Sequence, residues 1–163
     1  MTAPDAAVLA WQQTVNRAWD QMHGGLRPAS GYGPSGPPPT WPRPPGNVAQ
    51  WTQQAFGILR ANGVPASQLD AGAVGIIIAH ESSGNPDAIN KTDSNWVKGI
   101  PSKGLMQTID PTFDKYALPG HHDIYNPVDN IVAGTRYAIS RYGSLGNVPG
   151  VKLVRRGQKY VGY

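Results

Sequence analysis

The sequence predicts a mainly helical domain built around one apolar helix that ends on a carboxylate. Three observations lead there. Apolar residues recur at helical spacing in several segments, each opened by a capping residue and closed by Asn-Gly, Pro-Gly or Gly. One of these segments, Leu69 to Ala79, is apolar nearly all round and so should be the central, buried helix. No strand–helix–strand alternation and no internal repeat is present.

Within residues 1–23 the spacing predicts a short amphipathic helix over 5–22. Val8, Trp11, Val15, Ala18, Trp19 and Met22 share a face, and Gly24-Gly25 stop it. Residues 24–47 carry eight prolines and six glycines in 24 positions. That composition predicts a semi-rigid tether without a core. Asn47 is a good N-cap for a helix with the stripe Val48, Trp51, Ala55, Ile58 and Leu59, closed by Asn62-Gly63. Ser67 and Asp70 resemble a capping box ahead of the apolar helix. Residues 84–109 lack helical periodicity and read as a long loop or irregular strands. Asp110 is expected to cap a helix with Pro111 at its first position, running to about Ala117. Asn126-Pro127 repeats that start, for a helix with Val128, Ile131, Val132, Thr135, Ala138, Ile139 and Tyr142 on one face. Residues 144–163, with Lys152, Arg155, Arg156 and Lys159 and no acid, read as a basic surface-running extension.

The composition allows an ordinary domain with appendages: 163 residues, 39% hydrophobic and 15% charged. Its net charge of +4 and pI near 9.5 suit an acidic partner. There is no cysteine, which excludes disulfides and thiolate metal sites. No run approaches the roughly 20 apolar residues of a membrane span, and no signal peptide is visible.

Glu81 is the candidate catalytic residue. It is the only acid between Asp70 and Asp87, at the end of the apolar helix, where Ser82-Ser83-Gly84-Asn85-Pro86 breaks it. Burial disfavours the ionised form, and a carboxyl still protonated near neutrality can serve as a general acid. The loop that follows is long enough to be functional. It ends in Ser102-Lys103-Gly104-Leu105-Met106-Gln107-Thr108, a candidate cleft floor beside the acid. His121-His122-Asp123 lacks a third ligand at a metal-binding spacing and reads as a loop.

These residues resemble the soluble lytic transglycosylase (SLT) domain. The resemblance lies in Glu81-Ser82-Ser83-Gly84-Asn85-Pro86, Gly104-Leu105-Met106-Gln107, and Asn126-Pro127-Val128-Asp129-Asn130 through Ala133-Gly134-Thr135-Arg136-Tyr137. The three motifs stand in the family's order and cover roughly residues 48–143. The version looks like SLT domains in tape-measure proteins of phages infecting actinobacteria. Asp93-Ser94-Asn95, Pro119-Gly120-His121 and Tyr160-Val161-Gly162-Tyr163 share that flavour.

The resemblance implies a lysozyme-like fold and cleavage of peptidoglycan glycan strands. Glu81 takes the place of the catalytic acid/base and Met106 and Gln107 that of the cleft lining. Tyr137 takes the place of a tyrosine whose hydroxyl lies near the acid. Asn90 falls where many members carry a serine that holds a sugar substituent. Residues 91–101 lengthen the loop, bringing Asp93 and Ser102 into consideration as substrate contacts. The implied reaction needs one carboxylate and no metal or cofactor. Asp87, Asp93 or Asp110 as a second carboxylate would instead make a hydrolysing muramidase. A non-catalytic glycan-binding or structural module is the alternative from another class. The implied setting is a phage tail acting at the bacterial cell wall, with other tail proteins as partners and no nucleic acid.

Overall fold

The computed structural model describes residues 31–40 and 44–163. The N-terminal helix expected over 5–22 lies outside the described residues. What is described is helical, as the sequence predicts: α1 (Val48–Ala61), α2 (Ala71–Glu81), α3 (Ser94–Val97), α4 (Asp110–Tyr116), α5 (Pro127–Tyr142) and α6 (Pro149–Arg155), with 3-10 turns at Ala66–Gln68 and Leu145–Asn147. Among the described residues no helix is long and apolar enough to cross a membrane.

α1 starts as its sequence dictates. The Asn47 side chain accepts from the Gln50 amide at 3.0 Å, and the Gln50 side chain accepts from the Asn47 amide at 3.1 Å. This reciprocal box satisfies two amides that a helix start would otherwise leave unpaired. Trp51, Ala55 and Leu59, each one turn apart, form its buried face against α5 and α2.

α2 differs from expectation at both its start and its exposure. Ser67 sits in the preceding 3-10 turn and caps nothing; Asp70 is the cap, accepting from the Ala73 amide at 3.0 Å. The Asp70 carboxylate also receives Arg155 of α6 in a two-pronged pair at 2.8 and 2.9 Å. Ala73, Val74, Ile77 and Ile78 are buried, but Ala71, Gly72, Ala79 and His80 are exposed. The helix is therefore apolar on faces it does not bury.

The loop from 84 to 109 is held by two isolated antiparallel bridges, Ile89 to Lys103 and Lys103 to Thr108. The second closes a tight turn in which Gly104 and Gln107 both adopt positive φ, +78° and +55°. α5 carries the residues that grip this turn. Asn130 is fully buried; its side-chain oxygen accepts from the Met106 amide at 2.8 Å, and its amide group donates to the Ile124 carbonyl at 2.9 Å. One helical turn on, Gly134 leaves the space that the Met106 side chain fills.

Two segments read from the sequence as peripheral belong to the packed body. Within 144–163, Leu145, Val148 and Val151 are fully buried in the main core. Four positive charges among apolar residues had masked a helix with one greasy face. The described part of the Pro/Gly-rich segment lies against the domain as a strap. Tyr125 donates to the Gly36 carbonyl at 2.6 Å, and the Ser35 hydroxyl donates to the Asp110 carboxylate. Asp110 is thus not the helix cap expected of it. Ile109 holds that position, while the Asp110 carboxylate turns inward to the buried Lys103 ammonium at 3.0 Å. Lys103 also donates to the Ser35 hydroxyl at 2.5 Å.

Removing one member of a buried ion pair strands the other, which costs about 3–5 kcal/mol. Lys103→Met should accordingly lower the unfolding free energy by about that amount in urea titrations. Ser35→Ala, which removes only the strap's hydroxyl, should cost roughly 1 kcal/mol. An unchanged urea midpoint for Ser35→Ala would show that the strap's contact adds no stability.

Candidate functional site

Glu81 is the last residue of α2 and is half-buried. The Tyr160 hydroxyl donates to its Oε1 at 2.6 Å. Tyr160 is in turn stacked on the His80 ring, with centroids 4.5 Å apart and planes 18° apart. The chain after α6 reaches Glu81 by passing close over Gly150. A Cβ at that position would run into the Val161 carbonyl and the Tyr160 ring. Burial pushes the Glu81 carboxyl above the ordinary glutamate range, partly offset by the Tyr160 hydrogen bond and the nearby His80 charge. Burial and the bond to Glu81 push the Tyr160 phenol up, so it stays protonated as a donor.

Tyr163 completes this cover. Its hydroxyl donates to the Met106 carbonyl at 2.7 Å. Burial, and then the charge of Glu81, raise its phenol well above the ordinary value. Its ring meets that of Tyr137 at 5.6 Å, and Tyr137 meets Tyr116 edge-on at 5.7 Å. Aromatic rings therefore run from Glu81 along the segment after α6, through Tyr160 and Tyr163, to α5 and α4.

The structure redistributes the roles expected of the other site residues. The hydroxyl on Glu81 is that of Tyr160, while the Tyr137 hydroxyl accepts from Arg141 at 2.9 Å on its own helix. Met106 is fully buried, so its side chain is core filling and only its backbone is engaged near the acid. Gln107 anchors the loop, its amide donating to the Ala88 carbonyl at 3.1 Å and the Gly104 carbonyl at 2.9 Å. Asn90 accepts from the Thr92 amide at 2.9 Å and donates to Asp93 at 3.3 Å. Asp93 caps α3 through the Trp96 amide at 3.1 Å. The Ser102 carbonyl accepts from the Asn90 amide at 3.0 Å. These three brace the lengthened loop against itself. Asp93 as helix cap and Asp110 as ion-pair partner both have structural employment.

Sequence reasoning missed Tyr160 and Tyr163 because they lie in a stretch dominated by positive charge. The available signal was the apolar spacing of Leu145, Val148 and Val151, which predicts a packed helix and hence a returning chain. His121, read as a loop residue, pairs with Asp129 at 2.8 Å, which raises the imidazole above its ordinary value. Among the described residues no cluster of three or more ligating side chains could hold a metal ion.

Comparison with known proteins identifies the family. Residues 64–163 match the family described as Transglycosylase SLT domain. The chain is also similar to YqbO of Bacillus subtilis (strain 168), a protein described as uncharacterized, at 49% identity over 118 residues. That stretch is 72% of this chain and 7% of the length of the relative. No solved structure gives a significant match. A helix ending in a half-buried glutamate, the Gly104–Gln107 turn gripped from α5 and a match over residues 64–163 converge: the chain belongs to the Transglycosylase SLT domain family, enzymes of the lytic transglycosylase type.

Proposed function

We propose that this protein cleaves the glycan strands of peptidoglycan between N-acetylmuramic acid and N-acetylglucosamine, with Glu81 as sole general acid and base. The observation that carries the reading is the half-buried Glu81 carboxyl, raised by burial and held through one oxygen by Tyr160 at 2.6 Å. With Oε1 occupied by a donor, the proton of the acid form sits on Oε2. It is transferred to the glycosidic oxygen as that bond breaks, and the substrate's acetamido oxygen assists at the anomeric carbon. The carboxylate left behind is stabilised by the Tyr160 hydrogen bond. It then takes the proton of the muramic C6 hydroxyl, whose oxygen closes a 1,6-anhydro ring. One carboxyl group serves both steps; of the three acids that could make a second carboxylate, Asp93 and Asp110 have structural roles instead.

We place the enzyme as a module of a phage tail, opening the bacterial wall locally. The tape-measure flavour of the motifs supports this, as does a relative in which the matching stretch is 7% of the length.

Glu81→Gln should abolish clearing of isolated peptidoglycan, a loss of about 10²–10⁴-fold or more for a missing general acid. Because folding raises the Glu81 pKa, the folded state favours the protonated form. Stability from this group is full below the ordinary glutamate value and is lost as pH rises through the raised one. Melting curves should therefore show Glu81→Gln gaining on the wild type as pH increases over that window. A Gln variant that retains activity would remove Glu81 from the chemistry. Mass spectrometry of the products should find anhydromuropeptides; reducing-end muramic acid would mean hydrolysis instead.

Tyr160→Phe removes a bond that lowers the Glu81 pKa. The descending, high-pH limb of the rate profile should move to higher pH, with turnover reduced. An unshifted limb would show that Tyr160 does not act through Glu81.

A further inference from the structure

The loop after Glu81 and the strap enclose a depression that the catalytic arrangement leaves unused. It measures about 430 Å³, within the range of small-ligand sites, and opens to solvent. One wall is Asn85 to Lys91; the other is Tyr32 and Pro38 of the strap, which lies outside the family-matched residues 64–163. Both walls are fixed. The strap is pinned between Tyr32 and Pro38 by Ser35 on Asp110 and by Gly36 under Tyr125. Gly33 is needed there, because it has φ +72° and a Cβ would strike the Asp110 carboxylate. The facing wall is tied to the Gly104–Gln107 turn, where the Gly104 amide donates to Ala88 at 2.9 Å and Gln107 donates to the same carbonyl at 3.1 Å.

We infer that this depression is a binding subsite for an N-acetylated sugar residue, built jointly by the strap and the loop; the inference rests on the glycan-cleaving reading above. Tyr32 offers an aromatic surface, its ring held edge-on to Trp96 at 5.7 Å. The Lys91 ammonium stands 5.5 Å above that ring and donates to its hydroxyl at 3.5 Å. The Asn85 side-chain oxygen accepts from the Asp87 amide at 2.9 Å, which leaves its NH₂ group as a donor. Apolar surface beside the Asn85 amide, the Lys91 ammonium and the Asp87 carboxylate, which also lines the depression, matches a pyranose. Such a ring has C–H faces, and its hydroxyl and acetamido groups both donate and accept. The location fits one strand engaging both places. Asn85 is four residues past Glu81, a span of at most ~14 Å even in an extended chain, and the chain turns tightly there, Asn85 donating to the Ser82 carbonyl at 3.1 Å.

The test uses the Glu81→Gln protein and chito-oligosaccharides of increasing length, followed by amide NMR shifts. Shifts at residues 85–91 and at Tyr32 are expected once the oligomer is long enough. Tyr32→Ala and, separately, Lys91→Gln should weaken the longest oligomer roughly fivefold, equivalent to about 1 kcal/mol. The shortest should bind equally well to all forms. Lys91 is exposed, so its variant remains informative if Tyr32→Ala disturbs the strap. On peptidoglycan, both substitutions in the active enzyme should raise KM more than they lower kcat. If the active protein cleaves peptidoglycan and both variants bind every oligomer as tightly as their parent, the subsite is wrong and the proposed function stands. If no form binds or cleaves a glycan, both fall.

Discussion

The site depends on the grip of α5 on the turn between Lys103 and Thr108. Asn130 is buried and spends its amide inside this junction, holding Met106 through its amide and the chain at Ile124 through its carbonyl. Gly104 and Gly134 are small because the junction leaves no room: a Cβ at Gly104 would overlap the Asn130 side chain, and one at Gly134 would overlap Met106. Asn130 and Gly134 are one helical turn apart, so a single helix face reads the whole turn. Two sides of the molecule hang from it. The Met106 carbonyl receives Tyr163, whose segment also brings Tyr160 to Glu81. Lys103 leads to Asp110 and so to the strap.

The buried Lys103–Asp110 pair and the half-buried Glu81 use opposite strategies. Lys103 and Asp110 are both taken out of water and compensate each other, with the Ser35 hydroxyl using further hydrogen-bonding capacity of both. Desolvation lowers the Lys103 pKa, and the neighbouring Asp110 opposes that shift. Glu81 has no such full compensation. A phenol donates to one oxygen, and burial still raises the pKa. A paired carboxylate would be a stable ornament of the fold; one left short of compensation holds its proton until a better acceptor arrives. Under the proposed function, the residual cost of Glu81 is stability given up for activity.

Much of the helical plan was legible, because helices are local objects. The Asn47 cap, the Asn126-Pro127 start and the buried stripe of α5 follow from residues three or four apart. Errors began where a side chain had two possible partners. Asp110 has the sequence context of a cap, yet a buried ammonium seven residues earlier outcompetes the helix amides for its carboxylate. Ser67 lost the cap to Asp70, which gains a second partner in Arg155, 85 residues away. Met106 and Gln107 were recognisable as a unit, but which of them is packed and which is half-exposed depends on what α5 presents to the turn.

The sequence by itself determined α1, α2, α4 and α5, the Asn47 and Asn126 caps, and Glu81 as the carboxyl at the end of an apolar helix, since periodicity and capping act within a turn or two of chain. Only the tertiary structure decided what surrounds that carboxyl. Tyr160 is 79 residues from Glu81 and Ser35 is 75 from Asp110. Nothing local marks such partners. They are chosen by how well a basic-looking tail and a proline-rich strap fill the remaining surface, and that choice is made only once the core has set its shape.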